Sequence, residues 1–296
     1  MTIETNLNFS GGENTLKSIC WILSVLSWLL FVIIGWISIK WLDEDRLLIT
    51  FFRTYKQKLF VTYHPIQVTG PILYTLLIIT MIIVTVAFIV YMIKSTCKKD
   101  NGFFEKMFDN ITRWHWIAML LHSGLFLIGI CNDAKHAHDM YVAGIILVLF
   151  ALICLGLMYY KTDFGTNDYP GALIKKGTYS ALLAIDWYYF CYVICQLYMD
   201  DHPLKMKDHK NLGISFDIIM GVVMILVVFF LKDVLIAIYY FLIYLGILIF
   251  HYKIEKNFRK MYDITVADVI ISIIFMIVFL VLIVFLIIKN KKEVLS

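Results

Sequence analysis

Eight long apolar runs, separated by shorter polar segments, divide this chain. Each run is close to the ~20 residues that an α-helix needs to cross a bilayer, and the interior of each is nearly free of charge. The pattern predicts an all-α, polytopic transmembrane helical bundle. The runs are Cys20–Ile39, Ile66–Ile93, Trp114–Cys131, Met140–Tyr160, Thr178–Met199, Ile214–Leu231, Val234–Phe250 and Val266–Ile288.

The predicted number of crossings is seven or eight, depending on one point in the chain. Only Lys232 and Asp233 separate the sixth run from the seventh, and no Gly, Pro or Asn marks a turn there. Together, Ile214–Phe250 is too long for one straight crossing at about 1.5 Å per residue. Either a very tight hairpin forms, or one long helix leaves the membrane obliquely. We favour seven crossings plus one further helix.

Composition strengthens the membrane assignment. Hydrophobic residues make up 61% of the chain and charged residues 16%, against about 50% and about 25% in ordinary soluble domains. A soluble chain must cover itself with polar surface, whereas a chain in hydrocarbon can turn apolar side chains outward. We therefore expect an integral membrane protein that contacts the lipid bilayer. The net charge of +4 is spread over the loops and predicts no nucleic-acid surface.

The polar ends suggest a simple domain organisation. Residues 1–18 form a short polar segment, 19–289 a single multi-span domain and 290–296 a short basic tail. The first segment lacks a basic region followed by a cleavable apolar run, so we expect no removable signal peptide. Two Asn-X-Ser/Thr sequons make Asn8 and Asn110 candidates for glycosylation.

Two histidines share one face of the third run. His115 and His122 are seven residues apart, nearly two helical turns, or about 10 Å along the axis. Imidazole is a common ligand of haem iron and metals. The alternative, which we favour, places His115 at the membrane interface and lets His122 hydrogen-bond a neighbouring helix.

Two further histidines precede the fourth run. His136 and His138 lie close to Asp133 and Asp139, and these residue types suit zinc. A structural zinc site needs about four ligands, and no second cluster has suitable spacing. A solvated polar loop is the favoured interpretation, so we predict no metal site.

Several fragments in the first half of the chain resemble the cytochrome b561 family over about residues 60–175. They are Tyr63-His64-Pro65 with Gly70, Leu120-Leu121-His122 followed by Phe126, Met140-Tyr141 with Gly144, and Tyr169-Pro170-Gly171-Ala172. The resemblance implies transmembrane electron transfer from ascorbate through two b haems, each held by two histidines from different helices. His64 and His122 match the family's ligands on its second and third helices, and under this hypothesis His115 and His138 complete the candidate set.

The chain also departs from that family. The fourth-helix histidine is expected just after Met140-Tyr141, where this chain has Val142-Ala143-Gly144, and Thr178–Met199 contains no histidine. The expected second ligand of each haem is therefore missing, and we expect no cofactor.

Asp186 is the clearest ionisable residue inside a run. An unpaired charge at such depth costs several kcal/mol, so Asp186 is a candidate for relaying protons, for holding a cation, or for a hydrogen-bonded contact with Tyr188 or another helix. No lysine lies deep enough in any run to pair with it. Asp217 and Asp268 are nearer the starts of their runs, where the helix dipole favours a negative charge.

No catalytic motif accompanies these features. Phosphate-binding loops, activated nucleophiles and paired catalytic carboxylates are not evident in the sequence. The sequence therefore favours a non-enzymatic, receptor-, channel- or scaffold-like protein that can contact other membrane proteins. A b561-like electron-transfer protein carrying haem b is the alternative.

Overall fold

The structure is a computed structural model that describes residues 10–41, 66, 68–97, 115–128, 137–161, 169–201, 206–258 and 266–295. These residues form eight α-helices and no β-strand. The helices are α1 (Ser10–Trp41), α2 (Gly70–Cys97), α3 (His115–Ile128), α4 (Ala137–Lys161), α5 (Tyr169–Asp201), α6 (Met206–Leu231), α7 (Val234–Phe258) and α8 (Val266–Leu295).

Six of the described helices are long and apolar enough to cross a membrane. Their candidate spans are Ile22–Lys40, Gly70–Val90, His138–Met158, Asn211–Leu231, Val234–His251 and Ala267–Lys289. α3 is too short over its described length, and α5 is long enough but carries Asp186 and a series of tyrosines. The predicted all-helical architecture is confirmed, and length and composition alone identify six spans.

The segment from Ile214 to Phe250 forms two helices joined by a turn of two residues. Lys232 adopts a left-handed backbone with φ of 49°, and Asp233 caps α7. The Asp233 Oδ1 atom accepts hydrogen bonds from the amides of Leu235 and Ile236 at 2.9 and 3.2 Å. Capping of this kind satisfies amides that have no partner within the helix. Of the two alternatives, the structure therefore shows the tight hairpin, and the number of crossings stays a prediction.

Contacts between neighbouring helices show their relative directions. Trp36 Nε1 donates to Thr85 Oγ1 at 3.0 Å, while Trp28 packs on Phe88, so α1 and α2 are antiparallel. The contacts of α3 with α1 and with α5 follow the same order along both helices of each pair, so α1, α3 and α5 are parallel. The contacts of Tyr240 and Tyr244 make α7 antiparallel to α8, and the two-residue turn makes α6 antiparallel to α7. We call the end that carries Lys232 and Asp233 the turn end.

Helix α5 lies at the centre of the bundle. It packs against α2, α4, α6 and α7 and contacts α3 through hydrogen bonds. Its small residues Ser180, Ala181 and Ala184 are fully buried, and small side chains let neighbouring helices approach closely. Its location explains why the least apolar long helix is also shielded from the surroundings.

Helix α8 shows the opposite character. Much of its surface consists of exposed large apolar side chains, including Ile274, Val281 and Phe285. Exposed apolar surface on this scale is unfavourable in water but costs nothing against lipid tails. The distribution therefore fits a bundle that buries its few polar groups within an apolar core and presents an apolar outer surface.

Candidate functional site

A histidine and an aspartate form a buried pair between α3 and α5. His122 Nε2 lies 2.8 Å from Asp186 Oδ2, and the two residues are each 3% exposed. The other ring nitrogen, Nδ1, lies 2.6 Å from the carbonyl oxygen of Ala118 on the preceding turn of α3. Both ring nitrogens of His122 are therefore engaged by oxygen atoms of the protein.

These contacts determine where the hydrogens of the pair lie. A carbonyl oxygen only accepts hydrogen bonds, so Nδ1 of His122 carries a hydrogen and donates it to Ala118. A second hydrogen must lie between Nε2 and Asp186, because two lone pairs would otherwise face each other at 2.8 Å. That proton belongs either to an imidazolium facing a carboxylate or to a carboxylic acid facing a neutral imidazole. The pair is electrically neutral in both cases.

The pair is enclosed by apolar and aromatic groups. The ring of Phe31 from α1 meets the imidazole edge-on, with ring centroids 5.6 Å apart. On the other side of α5, the Tyr240 hydroxyl donates to the carbonyl of Ala184 at 3.2 Å and anchors α7 there. These contacts exclude lipid from the site and fix the helix that carries Asp186.

His115 occupies the same face of α3, two turns nearer the turn end. It is 4% exposed, packs edge-on against Trp28, and its Nδ1 lies 3.2 Å from the hydroxyl oxygen of Tyr179. Its Nε2 atom has no hydrogen-bond partner among the described residues, and neither has Thr178 Oγ1. The structure therefore places His115 in the bundle interior, and not at the exposed surface.

The partner of Asp186 is His122, which the sequence alone does not identify. The sequence offers no lysine partner and leaves Tyr188 or another helix as the candidate contact of Asp186, while His122 is a candidate metal ligand or a residue that hydrogen-bonds a neighbouring helix. The available signal was a shared spacing, because His115 to Tyr179 and His122 to Asp186 are both separations of 64 residues. Equal separations arise when two parallel helices keep one register over two turns.

The explanation expected for Asp217 was also wrong. Asp217 lies well inside α6, beyond its first turn, and is 1% exposed, so the helix dipole does not account for it. Asp268 does lie in the first turn of α8, and it is 2% exposed. Sequence reasoning overlooked Ser272, which is fully buried one turn after Asp268.

The four histidines of the haem hypothesis are not equivalent in the structure. His138 is an exposed residue in the first turn of α4, whereas His115 and His122 are buried on α3. An iron atom on His122 would have to displace Asp186 or Ala118 from its ring nitrogens. Haem binding stays a prediction. His64 and His136 lie outside the described residues, as do the sequons at Asn8 and Asn110.

Comparisons with known proteins identify no relative. Protein-family models, curated proteins and solved structures each yield no match to this chain. The function must therefore be argued from the geometry of the site.

Proposed function

We propose that this chain is a multi-pass membrane protein of the channel or transporter class that exchanges protons through its interior. The His122–Asp186 pair holds the exchanged proton. The observation that carries this proposal is the 2.8 Å contact between His122 Nε2 and Asp186 Oδ2, made while Nδ1 already donates to Ala118.

The pair has the chemistry of a reversible proton site. With its proton the pair is neutral, and the proton can move between nitrogen and oxygen without changing the net charge. Without that proton the site carries one buried negative charge, which is costly inside a bundle. Histidine is also the side chain whose unperturbed charge change lies nearest physiological pH. The pair is thus able to load a proton readily and to release it when the surroundings become hydrated.

Polar atoms extend from the pair toward the turn end. His115 lies on the same face of α3 as His122, and its Nε2 atom and Thr178 Oγ1 lack hydrogen-bond partners within the described structure. A water molecule needs two to four polar partners to enter a buried site. These atoms therefore supply places where water could connect the pair with the turn end.

We extend the proposal to the membrane topology and infer eight crossings. The parallel directions of α1, α3 and α5, and the antiparallel order of α1 with α2 and of α6 with α7 and α8, support this count, since α3 and α5 run beside candidate spans. α5 has 33 residues, enough to cross. Its polar side chains face other helices, so it does not need the apolar surface of a helix exposed to lipid.

A purely structural role for the pair is the competing explanation. A neutral hydrogen-bonded pair could simply join α3 to α5, and buried ion pairs are weak evidence for anything more. The double variant His122→Gln with Asp186→Asn separates these roles. It can keep a side-chain hydrogen bond between the helices, but it has no proton to exchange.

The experiment measures proton flux into liposomes that contain the purified protein and an internal pH-sensitive dye. A potassium diffusion potential supplies the driving force. We expect flux in the wild type and its loss, to the level of empty liposomes, in the double variant. Thr85→Val is the matched control, because it removes an interhelical hydrogen bond from Trp36 but no titratable group.

Two results would contradict the proposal. One is a wild-type flux no greater than that of empty liposomes, and the other is full flux in a correctly folded double variant.

A further inference from the structure

A second histidine contact lies on the line where α3 meets α5, nearer the turn end than the His122–Asp186 pair. His115 precedes His122 by seven residues on α3, and its partner Tyr179 precedes Asp186 by seven residues on α5. Because seven residues make nearly two turns, the two contacts are about 10 Å apart along these parallel helices. Among the described residues, the His115–Tyr179 contact is therefore the next polar contact between α3 and α5 toward the turn end.

Only one of the two ring nitrogens of His115 is engaged. Nδ1 lies 3.2 Å from the Tyr179 hydroxyl oxygen, whereas Nε2 is inaccessible to solvent and has no hydrogen-bond partner among the described residues. A neutral imidazole has an N–H group on one nitrogen and a lone pair on the other. Either tautomer therefore leaves Nε2 with an unsatisfied donor or acceptor, which is costly in a bundle interior. The environment of Nε2 favours a bound water molecule.

The surroundings of His115 differ from those of His122. The imidazole of His122 faces a carboxylate oxygen at 2.8 Å, whereas no acid within the described residues forms an ion pair with His115. Trp28 meets the His115 ring edge-on, with ring centroids 4.6 Å apart, and Phe88 packs on Trp28 at 5.3 Å. A buried charge is costly unless an opposite charge balances it. His115 is thus suited to carrying a proton briefly, and the His122–Asp186 pair to holding one.

Polar side chains continue from this contact to the turn between α6 and α7. Ser180, the residue after Tyr179, is fully buried, and its hydroxyl donates to the Asp233 carboxylate. Lys232, which precedes Asp233 in the turn, is exposed. The His115–Tyr179 contact therefore lies between the buried pair and an exposed part of the turn end.

We propose that His115 carries protons between the His122–Asp186 pair and the turn end, an inference that rests on the proposed proton exchange. In the active tautomer, Nδ1 donates its hydrogen to the Tyr179 oxygen, so that Nε2 keeps its lone pair. A proton from a neighbouring water molecule binds Nε2 and forms an imidazolium. The new N–H bond breaks when that proton passes to a second water molecule nearer the turn end. The imidazole is then neutral in its starting tautomer, and no other reactant is consumed.

Tyr179 is a positioning residue in this scheme. Its hydroxyl oxygen fixes the tautomer and the orientation of the His115 ring, but it takes up no proton itself. Tyr179→Phe keeps the aromatic ring and removes the hydroxyl. We expect this variant to lower the proton flux less than removal of the imidazole does.

The test uses the liposome flux measurement with two replacements of nearly equal size. His115→Gln cannot take up a proton, and general acid–base groups typically contribute more than tenfold to a rate, so we expect the flux to fall by about tenfold or more. His115→Glu can take up a proton and should restore most of the flux. A structural role of His115 predicts the same flux in both variants. Thr85→Val, which alters the contact between α1 and α2, is the control and should keep the wild-type flux.

The outcomes separate this inference from the proposed function. Full flux in a folded His115→Gln variant, or equally low flux in the Gln and Glu variants, overturns the role of His115 and leaves the His122–Asp186 proposal intact. A wild-type flux no greater than that of empty liposomes overturns both. If His115→Gln fails to fold, Tyr179→Phe decides, because full flux in that variant contradicts the scheme.

Discussion

The His122–Asp186 pair and the Asp217–Asp268 pair are two ways of burying a carboxyl group in one bundle. At the first, an imidazole 2.8 Å away supplies the balancing group from within the chain. At the second, Asp217 Oδ1 has no hydrogen-bond partner among the described residues, and the acid Asp268 interacts with Asp217 electrostatically. The difference teaches that burial alone does not reveal a role, because the first carboxyl shares a proton with a histidine, whereas no described basic side chain pairs with the second.

The largest effect should come from breaking the compensated pair. His122→Ala leaves Asp186 buried beside a cavity without its partner, and removing one member of a buried pair typically costs about 3–5 kcal/mol. We expect a loss of that order in the free energy of unfolding, measured by denaturant titration in mixed micelles. The double variant His122→Gln with Asp186→Asn should recover most of the loss. A loss below about 1 kcal/mol in His122→Ala would show that the contact contributes little.

Asp233, a fourth buried acid, provides an intermediate case. Asp233 is balanced by backbone amides at the start of α7 and accepts a hydrogen bond from the Ser180 hydroxyl. Asp233→Ala removes the cap, and caps are worth about 0.5–2 kcal/mol. We expect a destabilisation in that range by the same titration, smaller than for His122→Ala. Asp233→Asn, which retains the capping oxygen, is the control and should stay closer to the wild type.

Of these substitutions, Asp217→Asn should change the free energy of unfolding least, and any change should be an increase. Asp217→Asn removes an ionisable group without leaving a basic partner among the described residues unpaired. We expect the free energy of unfolding to stay within about 1 kcal/mol of the wild type or to rise, since the amide avoids the desolvation cost that burial imposes on the carboxylate form. If Asp217→Asn destabilised the protein as much as His122→Ala, the contrast between the two sites would be lost.

The spectrum of the purified protein tests whether His122 serves the pair or a haem. Because both of its ring nitrogens contact protein oxygens, we expect no reduced b-type absorption band. A band present in the wild type and missing in His122→Ala would instead favour electron transfer and contradict the proton-exchange proposal. His138→Ala, at an exposed position, is the comparison variant for the resemblance to cytochrome b561.

The pattern of apolar residues along the chain predicted the helices well, but it did not predict which helices and side chains contact one another. All eight apolar runs overlap described helices, because apolar length is a property of consecutive residues. The turn at Lys232 and Asp233 was harder to predict, since Lys232 adopts a left-handed backbone conformation and no glycine or proline marks the turn. The N-capping preference of aspartate was the one local signal for it.

The sequence by itself determined that this chain is helical, apolar on most faces and punctuated by a few deep acids and histidines. Only the tertiary structure decided that His122 meets Asp186 across 64 residues and that His115 meets Tyr179 across the same separation. The physical reason is that apolar helices in lipid tolerate many rotations about their axes, while pairing of buried polar groups depends on which faces meet. The proposed chemistry depends on these contacts between buried polar side chains, and not on the membrane spans themselves.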